Sequence, residues 1–64
     1  MKDYMTTAFW IQGCIESCIN MEQLENSLKL IRLFHIRYQH PYMYKHLITT
    51  YSEHKSYLNH EEIN

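Results

Sequence analysis

Apolar residues recur along this 64-residue chain at three- and four-residue intervals, the spacing that keeps side chains on one face of a helix. Tyr4, Ala8, Ile11, Cys14, Ile15 and Cys18 form the first such stripe. It predicts a helix over about residues 4–18, starting near Asp3 or Thr6. Gly13 falls on its far side, where it costs about 1 kcal/mol of helix stability and disturbs no packing. Leu24, Leu28, Leu30, Ile31, Phe34 and Tyr38 form a second stripe within an arc of roughly 160°, a normal width for a core-facing helix. A second helix over 21–39 follows from it.

The start of that helix is written in the residues INMEQL. Asn20 is a favoured N-cap, and Gln23 stands at the third helical position, as a capping box requires. Ile19 and Leu24 have the spacing of a hydrophobic staple. The end is set by Pro41, which pushes the residue before it out of helical geometry. Pro41 itself suits the first turn of a third helix, where its missing N–H costs nothing. Tyr44, Leu47, Ile48, Tyr51 and Leu58 then predict a helix over about 41–58. His54 and Lys55 interrupt its stripe, and 59–64 are expected to fray.

One glycine and one proline leave no turn chemistry for hairpins and no phosphate-cradling loop. The chain is therefore read as one all-α domain over 1–64. Short connections favour antiparallel neighbours, giving a three-helix bundle or a long helical hairpin with the N-terminal helix packed across it.

Leu33 and Ile36 do not belong to the core stripe. They lie on the far side of the second helix, with Lys29 and Arg32 around them and Arg37 at the edge. FHIRY alternates as a strand would, but a capping box precedes it and no turn interrupts it before the proline. The second helix thus carries two apolar surfaces. Either the first and third helices cover one each, or the narrower surface meets a partner. The second option is preferred, because a chain this short buries only about 60% of its unfolded surface. One core of that size rarely supplies more than roughly 3–5 kcal/mol.

Charge sharpens the choice. The net charge is −1, which selects neither nucleic acid nor an anionic membrane. Locally, no acid lies between Glu25 and Glu53, while Lys29, Arg32, Arg37 and Lys45 do, with His35, His40 and His46 among them. A basic segment over 29–46 with Tyr38, Tyr42 and Tyr44 interleaved could hold a nucleic-acid backbone and stack on bases. Its cations spread around the helix rather than lining one groove-facing row. An acidic protein, or a second copy of the chain, fits the mixed surface better. The expected contact residues are Lys29, Arg32, Leu33, Ile36, Arg37 and Trp10. Phe9 and Trp10 fall off and at the edge of the first helix's core face, and partly exposed tryptophan is a favoured interface anchor.

Candidate chemistry is sparse. Cys14, Cys18, His35 and His40 spell two thiolates and two imidazoles, the donor set of a structural zinc site. Both cysteines lie on a predicted helix rather than a turn, however, so they read as core residues. Neither has the cation or helix N-terminus that would activate a thiol. His35 reads as a hydrogen-bonded core-edge residue, and His54 and His60 as solvated. Nothing orients an imidazole for acid–base work. No catalytic residue, metal or cofactor is expected. The longest apolar run is four residues, too short for a signal peptide or membrane span. Two cysteines four residues apart on a helix cannot form an unstrained disulfide, so a reduced, cytoplasmic protein is expected.

Overall fold

The computed structural model describes the backbone of residues 3–63 and the side chains of residues 4–59. Three helices follow in order: α1 (Asp3–Glu16), α2 (Met21–Tyr38) and α3 (Pro41–Ile63). All three pack against one another as a small all-α bundle. Cross-helix contacts fix the directions. Tyr4 stacks on His40, Gln12 bonds His46 and His54 bonds Cys18, so α1 and α3 run parallel. Thr7 meets Tyr38 and Cys18 meets Ser27, so α2 runs antiparallel to both.

Local chemistry sets the boundaries. Asn20 is extended at φ −147°, and its Oδ1 accepts from the Gln23 N–H at 2.9 Å. Gln23 Oε1 accepts in return from the N–H of Ile19, at 3.0 Å, one residue before the cap. The expected staple does not form, because Ile19 is 76% exposed while Leu24 is buried. Gln39 ends α2 in the left-handed region at φ 48°, donating its N–H to His35 O. A non-glycine residue there is strained, and the following proline leaves no helical alternative. His40 caps α3, its Nδ1 accepting from the Met43 N–H at 3.2 Å.

Helix α1 ends two residues before the expected position, and α3 continues to Ile63, past the expected end near residue 58. Of the 59–64 segment, Asn64 and the side chains of His60, Glu61, Glu62 and Ile63 lie outside the described residues.

The core is Ala8, Ile11 and Ile15 from α1, Cys18 from the connection that follows it, Leu24, Ile31 and Phe34 from α2, and Leu47 and Leu58 from α3. Leu28, Leu30 and Tyr38 pack against it half-buried, as does Tyr4. Ser27 is buried as well. Its hydroxyl lies 3.3 Å from Cys18 Sγ and 3.4 Å from Gln23 O, so burial leaves no orphaned donor.

Candidate interaction surface

The wide stripe of α2 receives both α1 and α3, and its other side receives neither. Leu33 is 61% and Ile36 68% exposed. Lys29, Arg32 and Arg37 stand exposed beside them. The Arg37 guanidinium leans over the Tyr38 ring at 5.6 Å, a cation–π contact that limits its wandering. Five residues of one helix thus form a ridge with an aliphatic crest and cationic flanks. The alternative in which α1 and α3 each cover one side of α2 is overturned: the two sit together on the same side.

Trp10 is 59% exposed. It follows Thr7, whose hydroxyl reaches Tyr38, by one turn, so it stands on the flank of α1 that looks toward α2. Of the six residues expected to meet a partner, five share the ridge, and Trp10 stands on a different helix.

A second surface lies between α1 and α3. Met5, Phe9, Gln12 and Glu16 follow one another at helical spacing, as do Tyr42, His46, Thr49 and Glu53, so each set forms one row. The rows meet where His46 Nε2 lies 3.0 Å from Gln12 Oε1. At one end Phe9 and Tyr42 are exposed, beside an open depression of about 290 Å³ lined by Tyr42, Lys45, His46 and Thr49. At the other, Glu16 and Glu53 share a depression of about 180 Å³ with Thr50, His54 and Tyr57. One end of this groove therefore carries aromatic side chains together with Lys45 and His46, and the other carries two carboxylates beside Tyr57. The groove was not legible as a surface in the sequence, where the rows 5-9-12-16 and 42-46-49-53 each read as an ordinary outward flank of a separate helix.

The histidines depart from expectation. His35 is exposed, lying against the Tyr44 ring at 4.2 Å rather than bonded at the core edge. His54 is half-buried rather than solvated, and its Nε2 donates to Cys18 O at 2.7 Å. That bond satisfies a carbonyl just past the end of α1, where helix geometry provides no partner.

The four would-be zinc donors are not brought together. Cys18 Sγ reaches Cys14 O at 3.1 Å and Ser27 Oγ, while His35 and His40 are engaged with Tyr44 and with Tyr4 and the α3 cap. Among the described residues no three His, Cys, Asp or Glu side chains form a group able to hold a metal ion. Cys18 is buried as expected, and Cys14 only half so. No helix among the described residues is long and apolar enough to cross a membrane. No family model, curated protein or solved structure matches the chain.

Proposed function

We propose that this is a non-catalytic helical interaction protein, a regulator, adaptor or inhibitor that works through the outer face of α2 and associates with itself. One observation carries the proposal: Leu33 and Ile36 stand exposed between Lys29, Arg32 and Arg37 on the side of α2 that the bundle leaves open. Large aliphatic side chains in water gain roughly 25 cal/mol for each Å² they later bury. A domain of this size has little other stabilisation to draw on.

Nucleic-acid binding has less support. Of the interleaved tyrosines, Tyr38 is held by Thr7 and Phe34 and Tyr44 by His35, leaving Tyr42 exposed. Lys45 stands on a different helix from the other three cations. The two free thiols suit a reducing compartment such as the cytoplasm.

Sedimentation of the purified protein at two concentrations tests the proposal. The wild type should shift toward larger species as concentration rises. The Leu33→Glu/Ile36→Glu variant should keep its helical circular dichroism and sediment as a monomer. Wild-type-like association of that variant would exclude the ridge as the interface.

A further inference from the structure

We infer that the α2 ridge of one molecule docks into the α1/α3 groove of a second copy, a heterologous contact that repeats side by side. This mode rests on the self-association proposed above and specifies its geometry.

Two chemistries complement each other along their length. The ridge carries Ile36 and Leu33 toward the C-terminal end of α2, then Arg32 and Lys29 further back. The groove carries Phe9 and Tyr42 at one end and Glu16 and Glu53 at the other. Ile36 and Lys29 stand two helical turns apart, as do Phe9 and Glu16, a span of about 10.5 Å in each case.

The directions also agree. The Thr7–Tyr38 and Cys18–Ser27 contacts place Ile36 level with Phe9, and Lys29 level with Glu16, within one molecule. A second copy displaced sideways, without inversion or slip along the bundle axis, brings aliphatic crest onto aromatic end. The same displacement brings cations onto carboxylates. Lys45 lines the depression at the groove's aromatic end, where the docked ridge presents Ile36, and is absent from the depression that holds Glu16 and Glu53, where it presents Lys29 and Arg32.

The symmetric alternative fails on charge. A two-fold contact of ridge on ridge puts the same patch on both sides. Antiparallel pairing centred on Leu33 and Ile36 sets Arg37 against the partner's Arg32, and parallel pairing sets each cation against itself. Like charges brought together at an interface cost several kcal/mol. In the triangular cross-section of the bundle, the ridge of α2 and the groove between α1 and α3 lie on opposite sides. One docking therefore leaves a free ridge and a free groove, and the assembly grows beyond a dimer.

The test uses two blocked variants, Leu33→Glu/Ile36→Glu at the ridge and Glu16→Lys/Glu53→Lys at the groove, each checked for helical circular dichroism. All of these side chains are exposed. In sedimentation velocity the wild type should form species beyond the dimer that weaken as salt is raised. Each variant alone should associate at least about tenfold more weakly. Mixed in equal amounts, the two should form a dimer that grows no further, because each retains the half the other lacks. Three results overturn the inference. If the groove variant associates like the wild type while the ridge variant does not, ridge meets ridge, and the function proposed above survives. If the ridge variant alone still associates, both proposals fall. A wild type that stays monomeric at every concentration also ends both.

Discussion

Ile31 and Leu33 are two residues apart on α2, similar in size and hydrophobicity, and opposite in fate. Ile31 has no exposed surface, whereas Leu33 keeps most of its own. Residues two apart on a helix differ by about 200° in direction, so they cannot share a face. Burial here is a matter of phase. The whole inner side (Leu24, Ser27, Ile31, Phe34) has α1 and α3 against it, while the outer side (Lys29, Arg32, Leu33, Ile36) stands exposed among the described residues. Hydrophobic character therefore does not separate core from surface in this protein. Position around one helix does.

The largest effect should come from the inner side. Ile31→Ala removes a fully buried branched side chain and leaves a cavity, a change that costs about 2–5 kcal/mol. A domain with roughly 3–5 kcal/mol in all should then be largely unfolded at 37 °C, visible as lost helical circular dichroism. A cooperative transition close to the wild-type temperature would show that the inner side is not the core.

The start of α2 fixes where its phase begins. Asn20→Ala removes the Oδ1 acceptor of the Gln23 N–H and should cost about 1 kcal/mol in chemical denaturation. Asn20→Asp should recover most of it.

Outer positions should have room. Gly13 lies on α1 with no positive φ, and a Cβ added there meets nothing within 4 Å. Gly13→Ala should therefore stabilise the fold by about 0.5–1 kcal/mol, measured the same way. A loss of stability would reveal a contact on that side.

The smallest effect on folding should fall where the effect on association is greatest. Leu33→Asn should change stability by less than about 0.5 kcal/mol, as surface substitutions do, and should weaken self-association. An equal loss of stability at Leu33 and Ile31 would erase the distinction between the two sides of α2.

Much of this was legible because it is local. The Asn20 cap, the end of α2 before Pro41 and the apolar outer pair at Leu33 and Ile36 depend on residues within a few positions of one another. The staple at Ile19 was not, because its partner Leu24 is turned into the core and away from it. The histidines failed for a longer-range reason. His35 and His54 each stand near the margin of a stripe, and only the neighbouring helix decides what lies opposite. For His54 it is the Cys18 carbonyl; for His35 it is the exposed flank of Tyr44. Ser27 sits on the core face of α2 by phase, and the Cys18 thiol and Gln23 carbonyl are what make its burial tolerable.

By itself the sequence determined three helices, where they start, the stop of the middle one before Pro41 and its surplus apolar side, because capping and periodicity act over a single turn. The bundle decided which sides are shared. It placed α1 beside α3 rather than across α2 from it, and so created a groove whose two rows lie more than thirty residues apart in the chain. Such a surface has no local signature, since each row is an ordinary exposed flank until packing sets the other next to it.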